Sequence, residues 1–178
     1  VRRQAALAGR ETRPRTESSL VRRETGYLAT VPLPGDTPTD REIAAVIDQA
    51  KAHQLGHLHE GVYGAMLPVE HLRQGRFTDY THLFLEVPAP TRRTGLHRRP
   101  KGRYLLAYYQ GPWQGLPAKY EAILAYARDH GLTLTGFAYE KGVNELVIQR
   151  DEDYITQIEI PVQDPCSDGS SPRSHRTT

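Results

Sequence analysis

Cysteine and long apolar stretches are scarce in this sequence, and each absence excludes a class of protein. Among 178 residues there is a single cysteine, Cys166. An intramolecular disulfide framework and a cysteine-based zinc cluster are therefore excluded. No run of 18 apolar residues occurs, which excludes a membrane-spanning helix. The apolar patch near the N-terminus, residues 5–8, is too short for a signal peptide, so a cytoplasmic protein is the simplest expectation.

Motifs for nucleotide binding and for nucleophilic catalysis are missing as well. Neither GxxxxGK[ST] nor GxGxxG occurs, so no phosphate-binding loop is expected. Serine is absent from residues 24–162, which argues against a Ser-His-Asp hydrolase. The clustered histidines of the first half are His53, His57, His59 and His71. Their spacing matches no HExxH or other tight site, so exposed histidines are favoured over metal ligands, and no metal or other cofactor is expected.

Charge is distributed unevenly along the chain. Residues 1–23 and 89–103 are strongly basic, whereas the segments between and after them are acidic overall. An acidic surface repels nucleic acid, so this chain alone is not expected to bind DNA. Residues 1–23 lack apolar periodicity, and we interpret them as a basic flexible arm rather than a phosphate-binding element.

Two segments of similar organisation, residues 24–88 and 104–162, are the most informative feature of the sequence. Each reads helix, glycine, strand with a tyrosine, loop, Asp-Tyr, alternating strand and proline, with nearly equal spacings. Because several elements recur in the same order, the pattern indicates an internal duplication. We therefore predict repeat one (24–88), a basic linker (89–103), repeat two (104–162) and a disordered tail (163–178).

Start and stop signals predict one long helix in each repeat. The first begins at a capping box, Thr39-x-x-Glu42, and ends before Gly56. The second begins near Pro117 and ends at Gly131. In the second helix the apolar residues recur at steps of three and four, which predicts one buried face: Tyr120, Ile123, Leu124 and Ala127.

The last strand of each repeat, 80–87 and 154–160, alternates between an aliphatic face and a mixed face. The mixed faces hold His82, Phe84 and Glu86 in the first strand and Ile155, Gln157 and Glu159 in the second. We expect the aliphatic faces to pack on the helices. The predicted fold class is α+β: two pseudo-symmetric βαββ repeats form one antiparallel sheet, with helices on one face and a ligand cleft between the halves.

Aromatic residues combined with carboxylates give the strongest signal for a site. The chain has ten tyrosines and one tryptophan against three phenylalanines. Tyrosine offers a flat apolar ring and a hydroxyl, which suits a pocket for varied ligands. A carboxylate among such rings balances a desolvated cation, and each ring adds about 0.5–2 kcal/mol of cation–π attraction. The candidates are Tyr63, Phe84, Trp113, Tyr120, Tyr139, Glu145 and Glu159; ordinary core packing and edge-strand solubility are the alternative roles.

One long segment carries a family resemblance: LLAYYQGPWQGLPAKYEAILAYARDHGLTLTGFAYEKGVNELVIQRDEDYITQIEIPV, which is almost all of the second half. With the weaker match TESSLVRRETGYLATVPL, residues 24–162 resemble the GyrI-like, or BmrR-type, effector-binding domains of MerR- and AraC-family regulators. The resemblance implies two βαββ units around a cleft for hydrophobic, often cationic, drug-like molecules. It also implies aromatic rings and a buried glutamate in that cleft.

The resemblance implies particular residues where the motifs match. The buried glutamate of the drug-binding regulators matches Glu145, and family ring residues match Tyr63 and Tyr120. Many members have a glutamate in a closing strand that reads TEIxIPV. Here the strand reads TQIEIPV, so Gln157 takes that place and Glu159 is the nearest acid on the same face.

Three functions follow, in decreasing order of support. The first is a binding module for small aromatic, cationic molecules, either as the effector domain of a transcription regulator or as a drug-sequestering protein. The second, implied by stand-alone members of the family, is a hydrolase of cyclopropane-bearing genotoxic compounds that uses Glu145 or Glu159, with Trp113 and tyrosines clamping the substrate. The third is a gyrase-inhibitor-like module that binds another protein. The expected partner is a small molecule, no membrane partner is expected, and a homodimer is left open.

Overall fold

One antiparallel sheet of eight strands organises the part of the chain that the computed structural model describes, residues 18–33, 62–88, 90, 92–143 and 150–164. The strands are β1 (Ser19–Arg23), β2 (Gly26–Pro32), β3 (Tyr63–Pro68), β4 (His82–Glu86), β5 (His97–Arg99), β6 (Gly102–Gln110), β7 (Phe137–Gly142) and β8 (Ile155–Val162). The helices described are α1 (Val69–Arg73) and α2 (Leu116–Asp129). The predicted α+β class, with an antiparallel sheet, is confirmed.

The strand order across the sheet is β1-β6-β8-β7-β3-β4-β2-β5. Its central six strands are β6-β8-β7 from the second segment and β3-β4-β2 from the first, and the two segments meet where β3 pairs with β7. Two copies of one unit, related by a two-fold axis between β7 and β3, would have this order. The duplication itself stays a prediction.

The sheet curls because the chain connects its two ends directly. Strand β5 lies at one end and β6 is next to the other end, yet Pro100 and Lys101 alone separate them. The three Cα–Cα steps from Arg99 to Gly102 span at most about 11 Å, so the ends of the sheet must approach each other. Arg99 on β5 accordingly lies 3.5 Å from the carboxylate of Glu159 on β8, five strands away in the sheet order. The curl creates a concave inner face and a convex outer face.

Helix α2 covers the outer face of the second segment. Its buried residues include Tyr120 and Ile123, which share one core with Ala107, Ile158 and Ile160 of the sheet. Burying one such aliphatic side chain contributes about 1.5–3 kcal/mol, so this contact dominates the packing of the half. The predicted stripe and the predicted aliphatic face of β8 are confirmed.

The ends of α2 follow from its sequence. Pro117 lies in the first turn, where its missing amide hydrogen costs nothing. At the other end Gly131 adopts φ 63°, and its amide donates to the carbonyl of Arg128. The amide of Leu132 donates to the carbonyl of Ala127, which completes a Schellman motif. The predicted stop at Gly131 is therefore confirmed.

Two short strands correct the predicted arm and linker. The sequence predicts a flexible arm to residue 23 and a linker over 89–103, whereas Ser19–Arg23 and His97–Arg99 are strands and β6 begins at Gly102. Both are edge strands of the sheet, with charged residues that hide the strand pattern. The division into repeats otherwise stays a prediction. The predicted first helix and the tail from residue 165 lie outside the described residues. Within the described ranges, no helix is long and apolar enough to cross a membrane.

Candidate functional site

The inner face of the curled sheet carries a compact group of apolar and aromatic side chains. Strand alternation places these residues opposite the face that α2 covers, and they form one buried cluster: Leu28, Met66, Phe84, Tyr104 and Tyr139. The rings of Phe84 and Tyr139 meet edge to face, 6.1 Å apart. The Tyr139 hydroxyl lies 3.0 Å from Nε2 of His97, on β5. Residues from both ends of the sheet therefore converge on this face.

Glu159 is the buried acid of the inner face, with 2% of its surface exposed. Its Oε1 atom accepts two hydrogen bonds from Arg23, from Nε at 3.1 Å and from Nη2 at 2.6 Å. The side-chain amide of Gln157 donates to the same oxygen at 2.7 Å. This hydrogen bonding, together with the carboxylate's negative charge, raises the pKa of Arg23. Glu159 is thus held in place by its own chain.

The charged groups of the inner face alternate in sign. Arg99 lies 3.5 Å from Oε2 of Glu159 and 3.4 Å from Oε1 of Glu86. Lys141 lies 3.2 Å from the same atom of Glu86. These contacts form one series of charged residues across the inner face, from β1 to β7: Arg23, Glu159, Arg99, Glu86 and Lys141. Among the described residues, three basic groups therefore face two acids, and each of these acids already has a basic partner.

Two buried polar atoms in this series lack hydrogen bonds within the described part of the chain. They are Nε of Arg99 and Oε2 of Glu159, a donor and an acceptor. Most buried polar atoms in folded proteins are hydrogen-bonded, because an unpaired one costs about 1–3 kcal/mol or more. Glu159 therefore retains unused hydrogen-bonding capacity at the centre of the inner face.

The inner face brings together four of the predicted site residues. Phe84, Tyr139, Gln157 and Glu159 all lie on it, and Tyr139 is paired directly with Glu159 across β7 and β8. Residues opposite each other on one face have Cβ atoms about 4.5–5.5 Å apart. The prediction that the mixed faces of the closing strands meet on one side of the sheet is confirmed in this geometry. Their role in binding stays a proposal.

The other predicted residues lie elsewhere. Tyr63 is paired with Leu85 on the outer face of β3 and β4, and it is 53% exposed. Trp113 is 65% exposed in a 3₁₀ turn before α2. Tyr120 is buried in the outer core on α2. Tyr63 and Tyr139 occupy similar positions in the two segments, and the sequence predicts both as site residues. The strand register nevertheless places them on opposite faces of the sheet. Glu145 lies outside the described residues.

The turn that carries Trp113 is held from the outer face. The hydroxyl of Tyr109 donates to the carbonyl of Pro112 at 2.9 Å. A Cβ atom on Gly115 would lie 1.8 Å from that hydroxyl oxygen. Glycine is therefore required here because the Tyr109 ring fills the space under the turn, which explains the GPWQG sequence without a ligand.

A second buried acid, Glu140 on β7, escaped the sequence prediction. Its carboxylate accepts hydrogen bonds from the hydroxyls of Tyr80 and Tyr120 in the outer core. Burial raises the pKa of Glu140 to about 7, although the two hydroxyl donors oppose the rise. The strand alternation was the available signal: since Tyr139 lies on the inner face, its neighbour must lie under α2. Tyr120 therefore serves this carboxyl group instead of the cleft.

Metal chemistry has no donor set here. In the described ranges, no three His, Cys, Asp or Glu side chains are grouped so that they could hold a metal ion. Within these ranges the inner face offers aromatic rings, ion pairs and hydrogen bonds.

Solved structures of three proteins have folds similar to that of this chain: EcmrR, a Listeria innocua hydrolase and SAV2435. The EcmrR C-terminal domain is 14% identical, with a TM-score of 0.64, and the match covers 84% of this chain and 98% of that chain. In an EcmrR–DNA complex the match covers 84% of this chain and 58% of EcmrR, at 14% identity and a TM-score of 0.58. The chain has the GyrI-like fold. Neither a protein-family model nor a curated protein matches the sequence.

Two further structures share the GyrI-like fold. A hydrolase from Listeria innocua is 14% identical, with a TM-score of 0.56, and the match covers 85% of this chain and 94% of that chain. SAV2435 bound to tetraphenylphosphonium is 15% identical, with a TM-score of 0.50 and coverage of 83% and 94%. The fold that the resemblance implies is therefore confirmed, and identities this low establish the fold alone.

Proposed function

We propose that the inner face binds small aromatic molecules, with preference for cations. The observation that carries this proposal is a buried carboxylate, Glu159, on a concave face and paired with Tyr139 across β7 and β8. An aromatic cation placed there gains ring contact and a counter-charge at once. SAV2435, which shares the fold, has been solved with such a cation, tetraphenylphosphonium.

The biological setting that we propose is an effector domain of a transcription regulator or a drug-sequestering protein. EcmrR supports the first alternative, because its C-terminal domain has this fold and a complex of EcmrR with DNA has been solved. In that setting the small molecule is the signal, and the chain responds to it by binding it at the inner face.

Binding of tetraphenylphosphonium, measured by isothermal titration calorimetry, tests the proposal. We expect the wild-type protein to bind it and Tyr139→Leu to weaken binding about fivefold, because the substitution leaves an apolar side chain but removes the aromatic ring. Tyr126→Leu is the matched control, since Tyr126 lies on α2, stacks on His130 just after the helix and does not belong to the inner face. Absence of binding, or equal losses in the two variants, would contradict the proposal.

A hydrolase on the same scaffold is the second candidate. The similar Listeria protein is described as a hydrolase, and Oε2 of Glu159 is a carboxylate atom left without a hydrogen bond in the described part of the chain. Such an atom is able to position a water molecule against a strained ring. Mass spectrometry after incubation with a cyclopropane-bearing aromatic compound separates the two functions. A product heavier by one water, absent with Glu159→Gln, would favour the enzyme.

A further inference from the structure

Arg23 is the more exposed of the two arginines that contact Glu159. The side chain of Arg23 is 35% exposed, whereas that of Glu159 is 3% exposed. Arg23 is also more exposed than Arg99 or Lys141, the other bases of the inner-face series. Of the two arginines that contact Glu159, Arg23 is therefore the more accessible to a cation from solution.

The strand that carries Arg23 is weakly held. Strand β1 has five residues and lies at one end of the sheet, so it pairs with β6 alone. Arg23 is its last residue and pairs with Gly102, the first residue of β6. Strand ends at a sheet edge open at low free energy, since they have few partners. The side chain of Arg23 is therefore the element of the series that moves most easily.

Glu159 keeps other partners when Arg23 moves away. Gln157 donates to Oε1 at 2.7 Å and Arg99 lies 3.5 Å from Oε2, and neither contact involves Arg23. The exchange of one cation for another leaves the number of charges on the inner face unchanged. Removing a partner from a buried ion pair is costly, whereas replacing it with an equivalent partner avoids that cost.

The geometry of the Arg23–Glu159 contact defines the replacement. Two N–H groups of one planar cation donate to a single carboxylate oxygen. The ring of Tyr139 lies on the neighbouring strand, directly opposite Glu159. A planar amidinium or guanidinium attached to an aromatic body reproduces the donors of Arg23 and adds ring contact that Arg23 lacks.

We propose that Arg23 is an internal competitor at the ligand site: aromatic amidinium or guanidinium compounds bind by displacing its guanidinium from Glu159, and this displacement releases the end of strand β1. The inference rests on the proposed function, because it specifies the ligand and the response of the same inner face. Ligand entry is then coupled mechanically to an edge strand of the sheet, which lies immediately after the N-terminal segment.

Calorimetric titration of wild-type protein and variants tests the competition. The probes are pentamidine, an aromatic bis-amidine; tetraphenylphosphonium, a cation without N–H groups; and triphenylphosphine oxide, which is neutral. Arg23→Gln should tighten pentamidine about tenfold, because the competing charge is gone. The gain should be smaller for tetraphenylphosphonium and absent for the oxide. Arg22→Gln is the matched control: the same strand loses the same charge at the neighbouring exposed position, and no affinity should change.

A second comparison measures the effect of Arg23→Gln in a Glu159→Gln background, so that the test does not depend on Arg23→Gln alone. In this background Arg23→Gln should have no effect on pentamidine, since there is no carboxylate left to compete for. Hydrogen exchange on the wild-type protein supplies a third: saturating pentamidine should speed exchange of β1 amides about tenfold relative to those of β8.

The outcomes separate the two proposals. Pentamidine that binds equally well to wild type and Arg23→Gln, or that protects β1, would overturn the competition while leaving the site. Equal gains for the two cations would overturn the requirement for N–H donors. Failure of every probe to bind the wild type and both Arg23 and Arg22 variants would overturn the proposed function itself.

Discussion

Two buried glutamates on neighbouring strands show how partners decide the chemistry of a residue. Glu140 on β7 and Glu159 on β8 are both buried, but they face opposite sides of the sheet. Glu140 has neutral tyrosine hydroxyls as partners, so its desolvated charge is costly and its pKa rises to about 7. Glu159 has arginines as partners. Although both glutamates are buried, Glu140 therefore has a raised pKa, whereas Glu159 forms ion pairs.

Glu140→Gln should remove a pH dependence of stability. The carboxyl pKa rises from 4.5 to about 7 on folding, so the folded state binds its proton more tightly. This contribution is fully present below pH 4.5 and is lost as the pH rises through 7. Urea denaturation should show wild-type stability falling by up to about 3 kcal/mol across that range, with the fall largely absent in the variant.

Glu121→Gln is the control for this measurement, because Glu121 is an exposed acid on α2. It should retain the wild-type pH profile. A Glu140→Gln profile as steep as that of wild type would contradict the assigned burial effect.

The site residues that the sequence could not predict are those whose side-chain contacts come from distant segments of the chain. Alternation places Gln157 and Glu159 on one face of their strand, since neighbouring residues in a strand point to opposite sides, and Phe84 joins them because the aliphatic faces of both closing strands were expected to pack on helices. Arg23 and Glu159 are 136 positions apart, so no local pattern joins them. The acids of the inner face were predictable, whereas the bases that neutralise them were not.

At the scale of elements, local signals predict α2 and fail for the edge strands. The apolar stripe with Tyr120 and Ile123, and the glycine stop at Gly131, are encoded within one short segment. Strands β1 and β5 are short and rich in arginine and histidine, so their own sequences favour no strand. They form because the ends of the sheet offer unpaired backbone groups.

Gly131→Ala tests the stop of α2. The residue has φ 63°, a conformation that costs a non-glycine residue about 1 kcal/mol. A Cβ atom there would meet nothing within 4 Å, so conformational strain is the whole effect. We expect the free energy of unfolding in urea to fall by about 1 kcal/mol. Gly131→Asn should lose less, because asparagine tolerates this conformation better; a loss as large as that of alanine would count against strain as the cause.

At the scale of the whole molecule, the β3–β7 contact joins the two segments into one sheet. The sequence predicts that the halves pair but does not identify the pairing strands. Gly64 on β3 lies at this contact, opposite Lys141. A Cβ atom at Gly64 would lie 1.8 Å from the carbonyl oxygen of Glu140 and 2.7 Å from the ring of Phe84. The close approach of the halves therefore depends on a missing side chain.

Gly64→Ala should consequently harm both stability and binding. Because the clash involves backbone atoms, the strands must separate, and we expect a loss of about 2–3 kcal/mol in the free energy of unfolding. The same change displaces Phe84, so tetraphenylphosphonium binding should weaken too. Gly131→Ala serves as the comparison, since it destabilises the chain away from the inner face. Stability equal to wild type in Gly64→Ala would show that the two segments do not approach each other this closely.

The separation of Arg23 and Glu159 along the chain also has a consequence during biosynthesis. Glu159 lies on β8, which follows every other described strand, and its neighbours come from β1, β5 and β7. A nascent chain emerging from the ribosome exposes Arg23 long before the carboxylate that will receive it. The site proposed around Glu159 is therefore completed only after β8 has been synthesised, so it contributes nothing to the early stages of folding.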